Sequence, residues 1–243
     1  MVRPKRSLPT GALMSRPSLD VLYCDNHLLV VRKPAGILVQ PDKTNDVTLL
    51  DLAKSYLKAR FAKPGNVYVT AVHRLDRPVS GVVVLARTSK AAARLSAQFR
   101  DGEVRKIYWA IVEGTAPKEG ELSDRLVRNG QRSRVTKQAE GKLANLSYRR
   151  LRLLKGQSAL EVMLKSGRHH QIRVQLAAMG HPIVGDLRYG STQQFPNRSI
   201  ALHARSVAIT HPTRDEPLEF EADVDSYWPQ ILPARGGRRA VRE

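Results

Sequence analysis

Apolar residues in this chain fall mostly in short, strand-length runs broken by turn residues, with helical spacing in only three places. Residues 21–23 and 28–32 read as strands around an Asp25-Asn26 turn, and the breaker Lys33-Pro34-Ala35-Gly36 follows them. Residues 49–61 have helical periodicity, with Thr48 and Asp51 as a capping-box start and Leu49, Leu52, Tyr56 and Ala59 on one face. A strand at 67–72 leads into the polar loop 73–81, and the apolar run 82–86 is a further strand. Thr88 or Ser89 caps a helix at 91–100, which Gly102 ends. Residues 107–112 form a strand, while 115–145 are loop-rich and basic, with room for a short hairpin. Strands at 146–154 and 159–165 precede a helix at 169–179, closed by Gly180 with Pro182 beyond it. Residues 200–210 add one or two strands more. Strands are many, helices few, and neither a regular βαβ alternation nor a fixed-period repeat is present. That pattern predicts an α+β fold around a largely antiparallel sheet.

Charge narrows the partners. The 243 residues suffice for a domain with a substantial core. Lys and Arg number 41 against 22 Asp and Glu, a net charge of +19. Such an excess repels itself in a folded body and points to a polyanionic partner, nucleic acid first and an acidic membrane second. No apolar run approaches the ~20 residues that span a bilayer, so no membrane partner is expected. A single cysteine, Cys24, leaves no internal disulfide and no multi-cysteine zinc site, which suits a reducing compartment. Residues 1–17 carry Arg3, Lys5, Arg6 and Arg16 with no acid, broken by Pro4, Pro9 and Pro17. Residues 232–243 carry Arg235, Arg238, Arg239 and Arg242. Both read as basic flexible arms on a single folded domain at 18–231. The first lacks the apolar core of a signal peptide, so a cytoplasmic location is expected, with organellar targeting left open.

Three segments can hold chemistry. The loop His73-Arg74-Leu75-Asp76-Arg77-Pro78-Val79-Ser80-Gly81 joins two apolar strands and places polar side chains at a sheet edge. From spacing alone, a plain turn with Asp76 capping amides and Arg74 facing water is the stronger reading. In Ser166-Gly167-Arg168-His169-His170-Gln171-Ile172-Arg173 a glycine turn enters a helix, with Ile172, Leu176 and Met179 as its apolar stripe. Amides and arginines at that start favour an anion, though a basic first turn also suits a solvated face. In Ile107-Tyr108-Trp109-Ala110 the alternation sends Tyr108 and Trp109 to opposite faces; core burial of both is the default expectation, with one of them open to stacking on a base as the alternative. Metal chemistry is disfavoured, because His73, His169, His170, His181, His203 and His211 are scattered with no ligand spacing. No G-x-S-x-G elbow, Walker loop or Rossmann glycine pattern is present.

Taken in order, these segments resemble the RluA family of pseudouridine synthases over roughly residues 21–222. Lys33-Pro34-Ala35-Gly36 resembles an early K-P-x-G turn, and His73-Arg74-Leu75-Asp76 with Ser80-Gly81 the H-R-L-D-x-x-x-S-G signature. Arg105-Lys106-Ile107-Tyr108-Trp109-Ala110 resembles the segment with the family tyrosine, and 167–173 the G-R-x-H-Q-I-R motif. Gly180-His181-Pro182-Ile183, Gly185-Asp186, Tyr189-Gly190 and Leu202-His203-Ala204 complete the series. Val79 and Ser166 stand where the family commonly has threonine. Too few residues precede His73 for the S4-type module of some members, so none is expected.

The resemblance implies a single catalytic domain with a long mixed, mainly antiparallel sheet, flanking helices and a central active-site cleft. It implies isomerisation of uridines in structured rRNA or tRNA, with no metal or cofactor. Asp76 is then the catalytic carboxylate. A buried carboxylate needs a charged partner, and Arg173 is the matching arginine. Tyr108 is placed to stack on the uracil, or to take the carbon 5 proton; a free phenol pKa of ~10 favours stacking. Arg74 is placed to fill the stack that the flipped base leaves, and further RNA contacts are expected from His73, Lys106, Arg168 and His170. A monomer is expected. The main rival is a non-catalytic RNA-binding or ribosome-assembly protein, which leaves Asp76, Tyr108 and Arg173 without a shared purpose. A metal-dependent nuclease is the second. Pseudouridine formation in uridine transcripts without added metal separates all three.

The arms carry Lys and Arg but no aromatic residue, so phosphate contact is their expected work. Trimming 1–17 and 234–243 should weaken binding to every RNA and flatten its salt dependence. The single-turnover rate at saturating enzyme should hold.

Overall fold

The computed structural model describes residues 19–43 and 46–230, so the two basic arms lie outside the described residues. Eleven strands form one sheet: β1 (Asp20–Cys24), β2 (Leu28–Lys33), β3 (Thr70–Ala71), β4 (Ser80–Ala86), β5 (Arg105–Glu113), β6 (Glu119–Asn129), β7 (Arg132–Thr136), β8 (Lys142–Leu154), β9 (Gln157–Leu164), β10 (Leu202–Thr210) and β11 (Pro217–Glu221). Their order is β1-β2-β4-β10-β5-β9-β8-β6-β7, with β3 beside β4 and β11 beside β10. Every pairing is antiparallel except β4 with β10, so the sheet is mixed and mainly antiparallel, as expected.

Three helices pack on this frame: α1 (Leu49–Arg60), α2 (Ser89–Asp101) and α3 (Gln171–Ala178). α1 begins with the expected capping box. The Thr48 amide donates to Asp51 Oδ2 at 3.0 Å, and the Asp51 amide to Thr48 Oγ1 at 3.3 Å. Its buried stripe is Leu49, Ala53 and Leu57. The expected face is therefore rotated, with Leu52 and Tyr56 at its half-buried margin and Ala59 exposed. Thr88 caps α2, and Gly102 ends it at φ 83°. β4 is buried along its whole length because α1 covers one face of it and α2 the other. A strand enclosed on both sides reads as one continuous apolar run.

Residues 115–145 depart from expectation. They hold all of β6 and β7 and the start of β8. β6 is mostly exposed on alternate positions and has a single buried apolar residue, Leu126. Its ladder to β8, from Glu119↔Arg149 to Leu126↔Lys142, holds it in place of a strong apolar pattern. β11, outside the sequence expectation, pairs along 206–210 of β10 in the same way. The strand expected at 67–72 shrinks to the two residues of β3.

β10 lies between β4 and β5 and fixes the end of the polar loop. Its parallel contact sets His203 against Ser80 and Ala204 against Gly81. Ser80 Oγ lies 2.8 Å from His203 Nδ1, whose Nε2 lies 2.9 Å from the Ala222 carbonyl. Burial pushes His203 down to about 4. Gly81 has φ 123°, and a Cβ there would stand 2.3 Å from the Ala204 oxygen. Gly81→Ala should therefore lower stability by about 3 kcal/mol or more, from overpacking on top of a disfavoured backbone. Chemical denaturation of parent and variant measures it.

Candidate active site

Asp76 sits in the loop before β4, and the loop is built to keep it still. Leu75 and Val79 are buried in the main core on either side of it. The Val79 amide donates to the Asp76 carbonyl at 3.0 Å, and the Gly36 amide to the Arg77 carbonyl at 2.8 Å. Lys33, wholly buried at the end of β2, donates from Nζ to the carbonyls of Pro34 (3.0 Å), Ile37 (2.8 Å) and Arg77 (3.3 Å). Its ammonium thus ties the Lys33-Pro34-Ala35-Gly36 turn to the Asp76 loop. Burial pushes Lys33 down to about 7, against the pull of the Asp76 charge. The sequence marked that turn as a breaker and a motif turn, with no role for the Lys33 side chain.

Arg173 of α3 is the hub. Its Nη1 donates to Asp76 Oδ2 at 2.8 Å, while Nε and Nη2 grip Asp186 at 2.7 and 2.8 Å. The fork is therefore spent on Asp186, and Asp76 takes a single bond. Asp186 lies in the turn after Ile183 and is 2% exposed at its side chain, against 27% for Asp76. Burial opposes the charge on Arg173, but the bonds to Asp186 and Asp76 overcome it and hold its pKa above the ordinary value. The guanidinium also lies 5.1 Å from the centre of the Tyr189 ring.

Tyr108, on β5, faces the same site. Burial first, and the Asp76 charge second, raise its phenol above the ordinary value, so at neutral pH it is protonated. Trp109 points to the opposite face and is covered by the Arg205 guanidinium at 4.7 Å. His170 stands just before α3 with Nε2 3.3 Å from Asp76 Oδ2. α3 begins at Gln171 because His170 adopts φ 54°, so His169 and His170 precede the helix instead of opening it. Burial pushes His170 down to about 3.

The RNA-contact expectations divide. Arg74 is exposed on the loop, and Arg168 is exposed at the approach to α3, its Nε on the Leu143 carbonyl at 3.1 Å. His73 is turned to the fold instead. Its Nε2 accepts the Val84 amide at 2.9 Å and its ring stacks on Phe99 at 4.5 Å; burial, then Lys106, pushes it down to about 3. Lys106 is buried at 7% exposure with a lowered pKa, the cost of desolvation, and is not an open phosphate contact. Asp186, Tyr189 and Lys33 received no role from the sequence. The signal available for Asp186 was an arginine on a buried helix, which needs a carboxylate to fill its fork.

A part-exposed carboxylate held by a buried arginine, with a buried tyrosine that feels its charge, on a mixed sheet in a strongly basic chain, suits an enzyme that acts on RNA. Comparison with known proteins places it. The family model for RNA pseudouridylate synthase matches residues 27–178. A ribosomal large subunit pseudouridine synthase D of Zymomonas mobilis is 34% identical over 219 residues, covering 85% of this chain and 69% of the relative. The dual-specificity RNA pseudouridine synthase RluA of Haemophilus influenzae is 36% identical over 215 residues, covering 86% and 94%. The solved human RNA pseudouridylate synthase domain containing 4 shares the fold at a TM-score of 0.73 and 22% identity, covering 86% and 89%. The chain belongs to the RNA pseudouridylate synthase family.

Breaking the Arg173–Asp186 pair should cost both stability and turnover. Asp186→Asn leaves a buried guanidinium short of charge, a loss of about 3 kcal/mol or more. Arg173→Lys supplies one point charge where three bonds to two carboxylates are needed, so turnover should fall at least about tenfold. Thermal denaturation and single-turnover rates read the two effects separately.

Proposed function

We propose that this enzyme converts specific uridines of structured RNA, ribosomal or transfer, into pseudouridine with Asp76 as the catalytic carboxylate. The bond from ribose carbon 1′ to uracil N1 breaks, the ring turns, and carbon 1′ joins carbon 5. Carbon 5 then loses its proton and N1 carries one. The observation that carries this reading is the part-exposed Asp76 held by a buried Arg173 in the family's fold. A carboxylate beside the sugar and base serves as nucleophile or proton acceptor in such a step. Tyr108 contributes a flat ring against the uracil.

The target base must leave its stack to reach this depth, which costs a few kcal/mol and least in loops. The exposed Arg74 fills the gap it leaves. Arg168 contacts phosphate, and the chain works as a cytoplasmic monomer. A purely RNA-binding role leaves a buried arginine joined to two carboxylates without a purpose.

Asp76→Asn keeps the shape of the side chain and removes its charge. It should abolish turnover while leaving RNA affinity near the parent's. Turnover within about tenfold of the parent would remove Asp76 from the catalytic role. Deletion of the gene, followed by mapping of the pseudouridines lost from total RNA, identifies the target.

A further inference from the structure

The Asp76 loop and the hairpin of β6 and β7 are distant in sequence, yet a short line of polar contacts joins them. The Ser133 amide of β7 donates to Tyr189 Oη at 2.8 Å. Tyr189 Oη lies 2.8 Å from His170 Nδ1, and His170 Nε2 lies 3.3 Å from Asp76 Oδ2. An amide only donates, so Tyr189 Oη accepts from Ser133, and the carboxylate beyond His170 favours the tautomer in which the Tyr189 hydroxyl donates to Nδ1. A neutral imidazole that accepts at Nδ1 carries its proton on Nε2, the nitrogen facing the carboxylate. The other tautomer would set a lone pair against the carboxylate's own.

Two further features bear on this line. Arg173 Nη1 also ends on Asp76 Oδ2, and among the described residues no hydrogen bond reaches Oδ1. His170 is held between the stacked His169 ring at 3.8 Å and the Tyr189 edge at 5.6 Å, in a left-handed conformation of φ 54°. Backbone strain of this kind persists where the surroundings over-determine it, often at functional sites. At the outer end, Ser133 also bonds His169, with Oγ 2.9 Å from Nδ1 and 2.8 Å from the carbonyl. The hairpin around it carries the exposed Arg128, Arg132 and Arg134.

We propose that Tyr189 and His170 are positioning residues that hold Asp76 by Oδ2, present Oδ1 to the target nucleotide, and link that alignment to the basic β6–β7 hairpin. The proposal rests on Asp76 being the catalytic carboxylate. Oδ1 is then the atom that reacts, whether with the sugar, the base or a proton. The arginine-lined hairpin takes the RNA backbone on the outside, and the same strand, through Ser133, steadies Tyr189 on the inside.

The test uses the full-length enzyme and a uridine transcript that it modifies, measured under single turnover at saturating enzyme. Tyr189→Phe keeps the ring over Arg173 and against His170 and removes only the hydroxyl. The rate should fall about tenfold or more, with RNA Kd within about twofold and a melting temperature lowered only by the loss of the Ser133 hydrogen bond. Two substitutions of His170 separate alignment from backbone fit. Gln reaches Asp76 with an amide N–H but tolerates positive φ poorly, whereas Asn tolerates positive φ and falls short of Asp76. The relay predicts that His170→Gln keeps more of the rate than His170→Asn. It also predicts that Tyr189→Phe adds almost nothing in the His170→Asn background, since the two act in one line. Additive losses, a better rate in Asn than in Gln, or a rate loss matched by weaker Kd would overturn the proposal. Asp76→Asn runs beside these variants. If it stays active, the assignment of the carboxylate fails. If it is dead while Tyr189→Phe and both His170 variants run at the parental rate, only the relay fails.

Discussion

The site depends on one buried guanidinium shared by two carboxylates. Taking Arg173 and Asp186 out of water is costly, and such a pair holds only when geometry and hydrogen bonding are good. Here both conditions are met, with two bonds to Asp186 and one to Asp76. Asp186 in turn organises its own segment, since its carbonyl accepts the amides of Tyr189 at 2.9 Å and Ser191 at 3.2 Å. The helix, the turn that follows it and the Asp76 loop are therefore set by one cluster. Asp76 can remain part-exposed to solvent because its rigidity is supplied from below.

Much of the frame was legible in the chain because burial and capping leave local marks. The unbroken apolar run of β4, the Thr48–Asp51 box and the glycine ending α2 each state their structure within a few residues. β6 was not legible, because a mostly exposed strand is held by a later strand, from Glu119↔Arg149 to Leu126↔Lys142, and not by its own pattern. The site divided along the same line. Asp76, Tyr108 and Arg173 were reached through ordered motifs, and the structure brings them together. His73 and Lys106 were assigned outward because a polar residue's sequence does not say which way it points. Burial and ring stacking turn His73 inward, and desolvation covers Lys106. The forked partner of Arg173 was hidden because Asp186 reaches it through a turn thirteen residues on, a distance no helical or strand period predicts.

The two ends of the site carry different burdens. Toward the core, Lys33 and Arg173 gather carbonyls and carboxylates into contacts that tolerate little change of shape. Toward solvent, Arg74, Arg168 and the hairpin arginines are exposed, so any ionic contact that each makes is screened by salt. The outer set can change without disturbing the inner one.

The place of β10 has a consequence for the order in which the molecule is made. β4 and β5 never bond to each other; the strand between them begins only at Leu202, well after β5 has ended at Glu113. During synthesis, both wait with unpaired edges until the chain has grown past Thr210. The Asp76 loop gains its seat against Ala204 only at that moment. Closing such long-range pairings is slow, and exposed edges in the interval invite association with other chains. A product truncated before β10 is therefore not a weakened enzyme but an open sheet, a substrate for chaperones and proteases.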